Sequence, residues 1–457
     1  VSTTTVTELT AGLGPVVATT LFDLAPLGYT QAEFALSGTA AAYERVRADV
    51  RVIEHADFTT RVLVYHPSDP ARFNGTVWVE WLNVSGGLDA GPDWTFAHTE
   101  LMRAGAAWVG VSCQHLGVHG GDGLVMPGNG GLRSVSPERY ESLHHPGDRF
   151  SYDIYSQAGA AVRAAAGTLL PGLPVERVIA IGESQSAFRL TTYVNDIDVE
   201  AQVYDAFFVH ARGGPDAPLD DDSPALSFER PPVPFRGDLR VPVMCVEAET
   251  DLIVLGYLPA RQPDDDRLVT WEVAGTSHAD VYTFGAGMID TGALPIEVLA
   301  AAWTPRDEYF GTNLAAPVNA GPQHYVMNAA VAHLDRWVRD GVRPPDGGER
   351  LAIRIGKDKV DYQPDDHGNA IGGVRTPHVD VPVAVLSGLG NTGGPMAHLC
   401  GRTVPFAPKK LRRLYRDRDD YLARYAAATT EAVARGHMLA ADAPEINALA
   451  AALCPDF

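Results

Sequence analysis

The chain has 457 residues, 46% of them hydrophobic and 20% charged, the proportions of a globular protein with a large core and not of a disordered or fibrous one. A formal net charge of -21 repels polyanions, which argues against nucleic acid and anionic membrane surfaces as partners and favours a small neutral or apolar substrate.

At the N-terminal side the first Lys or Arg is Arg45, so no basic segment precedes the mildly apolar "GPVVATTLFDL". No apolar run approaches the roughly 18 residues of a membrane span. The expectation is a soluble, cytoplasmic chain, a processed secreted form being left open. Short apolar runs then recur: "TTRVLVYHP" (59–67), "GTVWVEWLN" (75–83), "AAWVGVSCQ" (106–114), "RVIAIG" (177–182), "YDAFFVHAR" (204–212), "VPVMCVEAE" (241–249) and "RLVTWEVAG" (267–275). Gly, Pro, Asp or Asn bound them, as they bound strands. Between 151 and 167 Ile154, Ala158, Ala161, Val162 and Ala165 share one helical face, and from 324 Val326, Ala330, Leu334, Trp337 and Val338 do the same until Gly341 and Pro344 stop the helix. Strands apolar throughout and separated by helices predict a mostly parallel sheet covered on both faces, an α/β architecture.

Three stretches break this rhythm. Residues 211–240 are rich in Pro and Asp and read as a surface excursion. Residues 279–323 mix aromatics with Gly and Pro and read as an irregular insertion able to line a pocket. From about 346 a strand-like half precedes a helical half that begins near Pro408. The division expected is a core over 1–345 with those two insertions, and a C-terminal extension, 346–457, packed on it. Cys113, Cys245, Cys400 and Cys454 lack CxxC spacing and suit buried thiols, with a Cys400 to Cys454 disulfide left open. "KKLRRLYRDRDDYLARY" is interrupted by Asp417, Asp419 and Asp420 and reads as a solvated amphipathic helix.

The chemistry starts at Gly182-Glu183-Ser184-Gln185-Ser186. A strand ending in G-x-S-x-G and opening a helix is a nucleophile elbow, which lifts the serine hydroxyl above the sheet at a helix N-terminus. Here Ser186 replaces the last glycine, and a small side chain meets the same need; a nucleophile at 186 would put Phe188 at the small position. A serine hydrolase needs an acid and then a histidine further along, each just past a strand. "VPVMCVEAETD" offers Asp251, with Glu249 as rival acid, and "WEVAGTSHAD" offers His278, while His210 is a rival base that precedes the acid. His278 would take the Ser184 proton and the acid would fix its tautomer. Oxyanion donors are expected at the Gln185 N–H and, from Asn83-Val84-Ser85-Gly86-Gly87, at the Val84 N–H or the Asn83 side chain. Asn83 is also a candidate substrate contact. Trp81, Trp94, Tyr282 and Phe284 lie beside the site loops in sequence and are candidate pocket walls. His115 and His119 in "QHLGVHGGDG" lack the helix and glutamate of an H-E-x-x-H site, so no metal is expected, and "GNGG" at 128–131 lacks the Lys-Ser/Thr of a phosphate loop.

"GESQSA", "AGTSHAD", "HPGDRFSYDIYSQA", "DDHGNAIGGVRTPHVDVP" and "LCGRTVPF", in this order, resemble the large alpha/beta hydrolase domain family, mostly serine esterases. The resemblance covers most of the chain. It implies an alpha/beta hydrolase fold with an elaborated C-terminal region, and carboxylic-ester hydrolysis without a cofactor. It points to Ser184 and His278 and leaves the acid between Asp251 and Glu249. The expected activity is cleavage of a small hydrophobic ester or lactone through an acyl-enzyme; the alternatives are an acyltransferase using the same triad and a non-catalytic binder on the same fold.

Overall fold

The computed structural model describes residues 4–47, 49–124, 130–164, 168–220, 230–309, 312–357 and 359–456. Nine strands make the main sheet: β1 (Thr5–Glu8), β2 (Tyr29–Val46), β3 (Asp49–Pro67), β4 (Thr76–Trp81), β5 (Ala107–Val111), β6 (Arg177–Glu183), β7 (Ala206–His210), β8 (Val243–Ala248) and β9 (Leu268–Val273). Their order is β1-β2-β3-β5-β4-β6-β7-β8-β9. From β5 to β9 every neighbouring pair is parallel, whereas β1, β2 and β3 are joined antiparallel to one edge.

Alternation along the parallel strands feeds two cores. Trp78, Ile179, Ile181, Phe208, Met244 and Trp271 point to one face, where the Pro92–Ala104 and Gln323–Asp340 helices cover them. Val77, Val79, Val178, Ala180, Phe207 and Val209 point to the other, covered by the Ser151–Ala164 and Gln185–Thr192 helices. Burial on both faces is why these runs are mostly apolar, with Glu80, Glu247 and Glu272 as buried exceptions. The parallel strands carry their loops at one carboxyl edge, where α/β sheets gather ligand sites.

The longest pairing was not legible as such. β2 and β3 form an 18- and 19-residue hairpin with a bulge between Ala42 and Tyr43, whereas the apolar run in sequence marks only 59–67. Its outer half, from Val50 to His55, is largely exposed, so it lacks the buried signature of the central strands.

Residues 279–323 are more regular than expected, with helical turns at Tyr282–Ala286 and Gly287–Ile289 and a helix at Ile296–Trp303. Of the 211–240 excursion, 221–229 lie outside the described residues; residues 128–129 of "GNGG" do so as well. "HLGVH" is a short helix, His115–His119, not the loop its glycines suggested. In the C-terminal part, Ala384–Ser387 pairs with Arg402–Pro405, Val374 bridges Val273 in parallel, and Tyr421, Tyr425, Ile446 and Leu449 join the same core as the Gln323–Asp340 helix. All four cysteines are free thiols, so Cys400 and Cys454 are not bonded. Among the described residues no helix is long and apolar enough to cross a membrane.

Candidate active site

β6 ends at Glu183, and Ser184 turns the chain into the Gln185–Thr192 helix with φ 57° and ψ -120°. A side-chain-bearing residue pays roughly 1–3 kcal/mol for such a backbone, and that strain is met mainly at functional turns. Hydrogen bonds hold it there: the Ser184 N–H donates to the His210 carbonyl at 3.0 Å, and the Phe188 N–H donates to the Ser184 carbonyl at 3.1 Å. A Cβ on Gly182 would lie 3.1 Å from Ser186 Cβ, which is the crowding that keeps both positions small. The Ser186 hydroxyl is buried and, among the described residues, has no hydrogen-bond partner.

His278 stands in the turn after β9. Its Nε2 is 2.9 Å from Ser184 Oγ and its Nδ1 2.7 Å from Asp251 Oδ1. The turn is braced on several sides. The His278 N–H donates to Thr250 Oγ1 at 3.2 Å, and Thr250 Oγ1 donates to the Gly388 carbonyl at 2.7 Å. Gly275 has φ 74°, and a Cβ there would meet Val379 Cγ1 at 2.5 Å, so the C-terminal part of the chain packs directly on the histidine loop. Asp251 is fully buried and its Oδ2 accepts the Ala248 N–H at 2.6 Å.

The rival acid is placed elsewhere. Residues 249–253 are helical, so side chains two apart diverge by about 200° where an extended chain would have aligned them. Glu249 accepts the N–H groups of Gly275 (2.7 Å) and Gly388 (2.9 Å), and burial raises its carboxyl to about 7. The rival base His210 is wholly buried, with Nδ1 2.9 Å from Asp93 Oδ1.

One group was not anticipated. Glu183, between the strand and the serine, places Oε1 3.2 Å from His278 Nε2, and Asn83 Nδ2 donates to its Oε2 at 3.2 Å. Burial raises the Glu183 carboxyl to about 7 against the pull of His278. Burial disfavours the His278 imidazolium, yet Glu183 and then Asp251 outweigh it and lift the ring to about 9. The only signal in sequence was an acidic residue at the x of G-x-S, a position the elbow pattern leaves free.

The proposed oxyanion donors fare unequally. Gln185 opens the elbow helix, where backbone N–H groups face the N-terminal end. The Val84 N–H instead points to Gln185 Oε1 at 3.4 Å, and Val84 does not line the cavity, because the loop after β4 is clamped to the elbow helix through that side chain. The Asn83 side chain is committed to Glu183 and to the Ser85 N–H.

Ser184, His278, Glu183 and Asn83 open on a cavity of 470 Å³ whose apolar wall includes Leu124, Phe188, Leu255, Phe284, Met396 and Leu399. Of the four aromatics named from sequence, Phe284 is there and three are not. Trp81 is fully buried against Tyr155 at 4.9 Å and donates to Gln114 Oε1. Trp94 packs against Tyr65 and Trp108, which stack on each other. Tyr282 stacks on His324 at 3.9 Å and donates to Asp290 Oδ2. Nearness in sequence misled because Trp81 on β4, Trp94 on the Pro92–Ala104 helix and Tyr282 on the Tyr282–Ala286 turn are all buried in the core. Phe188, Leu255 and the 395–399 segment come from elements whose sequence gave no pocket signal. A larger hollow of 1020 Å³, between the β2–β3 hairpin and the Ser151–Ala164 helix, holds none of these groups.

Among the described residues one set of three metal-capable side chains, Asp290, His324 and Glu445, brings its ligand atoms within 4.8 Å. Each is engaged by protein: Asp290 by Tyr282 Oη and the Gly292 N–H, Glu445 by Tyr325 Oη, and His324 Nδ1 by the Phe96 carbonyl.

The sequence matches the family model described as "Alpha/beta hydrolase domain" over residues 3–448. No curated protein matches it. Among solved structures it is similar to a thermostable esterase from Pseudomonas putida, at 14% identity over 50% of this chain and 66% of that one, with a TM-score of 0.28. It is also similar to an alpha/beta serine hydrolase without a lid from Xanthomonas campestris, at 11% identity over 51% and 83%, TM-score 0.28. Esterases from Rhizomucor miehei match at 12% identity over 66% and 85%, TM-score 0.31. With the family match running along nearly its whole length, the chain belongs to the alpha/beta hydrolase domain family.

Proposed function

We propose that this protein is a serine esterase that cleaves a small hydrophobic carboxylic ester or lactone through an acyl-enzyme on Ser184. The observation that carries the reading is the continuous contact from Asp251 through His278 to Ser184, at 2.7 and 2.9 Å, on the wall of the 470 Å³ cavity. Ser184 Oγ attacks the ester carbonyl while His278 Nε2 takes its proton; Asp251 holds the Nδ1–H tautomer and stabilises the imidazolium. The Gln185 N–H stabilises the tetrahedral oxyanion from the helix side. His278 then gives the proton to the leaving alcohol, and water, activated by the same nitrogen, releases the acid. Asn83 orders the site through its bond to Glu183, and Phe284 with Phe188 and Leu255 receives the apolar part of the substrate. Glu183 is the one carboxylate among the described lining residues, and it faces His278 across the same wall.

The test is turnover of a short-chain p-nitrophenyl ester with pre-steady-state resolution. A burst of p-nitrophenol followed by steady hydrolysis is expected, with Ser184→Ala lower by about three to six orders of magnitude. Turnover accelerated by added alcohol, at the expense of free acid, would reassign the protein to acyl transfer; neither burst nor turnover with any ester would leave a binder.

A further inference from the structure

His278 Nε2 has two oxygen neighbours where proton transfer from a serine needs one. Ser184 Oγ lies at 2.9 Å and Glu183 Oε1 at 3.2 Å. The second is not a loose surface group. Glu183 is the last residue of β6, its side chain is 8% exposed, and Asn83 Nδ2 ties both its Oε2 (3.2 Å) and its carbonyl oxygen (3.1 Å). Asn83 is itself fixed, its Oδ1 accepting the Ser85 N–H at 2.7 Å. A carboxylate so held favours a hydrogen on Nε2, and an imidazole that already carries one cannot accept the proton of Ser184.

We propose that Glu183 is a positioning residue that retains a proton on His278 Nε2 in the resting enzyme and supports that same N–H when it forms again during acylation. The proposal deepens the serine-esterase reading and rests on it. The balance is simple. Above about pH 7, where Glu183 is ionised, and below about 9, the ring lies between the Asp251 and Glu183 carboxylates and carries hydrogen on both nitrogens. Loss of one proton to solvent leaves Nδ1–H on Asp251 and a lone pair on Nε2 facing the Ser184 hydroxyl. Attack moves the serine proton to Nε2, and the imidazolium so formed again lies between two carboxylates. Glu183 therefore withholds the base at lower pH and strengthens it at higher pH, since a more basic imidazole is the better proton acceptor once free.

The other charged groups around the ring do not cancel this. Asp251 faces Nδ1 from the helix after β8 and acts in the same direction. His210, at the end of β7, and His398, from the C-terminal segment, each feel His278 as a repelling neighbour, and burial keeps both below the ordinary imidazole value. Asp93, on the helix after β4, opposes ionisation of Glu183 but is a lesser influence there than burial and His278. The raised value of His278, about 9, agrees in direction with the geometry.

The experiment is the pH profile of single-turnover acylation by a p-nitrophenyl ester for the wild type, Glu183→Gln and Glu183→Ala, with circular dichroism to establish that each is folded. In the wild type the acid limb is expected to centre above the ~6.5 of an ordinary imidazole. In both variants it should move down by about one pH unit or more, and the high-pH plateau should fall several-fold as the base weakens. Two substitutions are used because the Gln amide can itself donate to Nε2 whereas Ala cannot; a midpoint lowered in both reports the charge. Folded variants that keep the wild-type midpoint, or a wild-type midpoint at or below ~6.5, overturn the proposal. Failure of the underlying reading looks different: Ser184→Ala would then acylate at the wild-type rate, at every pH.

Discussion

At the end of β7, His210 Nδ1 lies 2.9 Å from Asp93 Oδ1; past the end of β9, His278 Nδ1 lies 2.7 Å from Asp251 Oδ1. The two pairs sit at the same edge of one sheet and share a close Nδ1–carboxylate contact, a buried acid and a buried ring, yet differ in what the other ring nitrogen meets. His278 Nε2 faces Ser184, Glu183 and the cavity. His210 Nε2 faces the Gln323 side chain at 2.9 Å, with the edge of Phe96 at 5.2 Å and no exposed surface. Charge follows surroundings. Burial pushes Asp93 well above the usual carboxylate range and His210 down to about 4, so both members of that pair favour their neutral forms. A neutral His210 protonated on Nε2 calls for an acceptor, and turning the Gln323 amide would supply its Oε1, which has no other partner among the described residues. An Asp–His contact is therefore structural or catalytic according to the second nitrogen, not the first.

The sharpest way to break this contrast is to remove each ring. His278→Ala is expected to lower ester turnover by about six orders of magnitude, while His210→Gln should leave the turnover of its folded fraction within about tenfold, because it touches no reacting atom; steady-state kinetics on the two variants compare them. Next come the acids. Asp251→Asn should slow acylation by about four orders of magnitude through the wrong histidine tautomer. Glu249→Gln should slow it at least a hundredfold less, and act instead on stability by about 1–3 kcal/mol, because a neutral amide replaces the carboxylate that receives the Gly275 and Gly388 N–H groups. Stopped-flow acylation and urea unfolding separate the two effects.

The pairs also differ in how they tie stability to pH. His278, raised on folding, contributes stability that is complete below ~6.5 and is lost as pH climbs through about 9. His210, lowered on folding, contributes stability that is complete above ~6.5 and is lost as pH falls through about 4. Thermal melts should accordingly show a shallower alkaline decline in His278→Asn than in the wild type, and a shallower acid decline in His210→Gln. The smallest effect expected is at the cavity wall: Phe284→Ala should raise KM for an apolar ester about tenfold, or ~1.4 kcal/mol, measured with p-nitrophenyl butyrate. The core residue Trp94 should give the reverse pattern on truncation to Ala, a loss of about 3–5 kcal/mol in stability with KM unchanged.

What could be read from the sequence was what local patterning encodes. Apolar runs bounded by turn residues marked β4 to β9, because a strand buried on both faces is predominantly apolar, and the elbow, acid and histidine were visible because each sits at a strand end in a set order. The β2–β3 hairpin was less legible, its outer half being exposed. The choice of Asp251 over Glu249 depended on whether 249–253 is extended or helical, and the helix separates the two by direction. The cavity wall was hardest. Phe188, Leu255, Met396 and Leu399 meet only in three dimensions, and Trp81, Trp94 and Tyr282 were drawn inward by aromatic and histidine partners far along the chain. Glu183 was passed over because the motif constrains the serine and the small residues but not the side chain between them.

The central claim is that Ser184, and not its neighbour two residues on, is the nucleophile. Labelling with a fluorophosphonate, followed by peptide mass spectrometry, reads this directly, since the reagent bonds only to a serine whose proton is being taken. One adduct is expected, at Ser184, retained in Ser186→Ala and absent from Ser184→Ala. An adduct at Ser186, or labelling that survives in folded Ser184→Ala, would contradict the account.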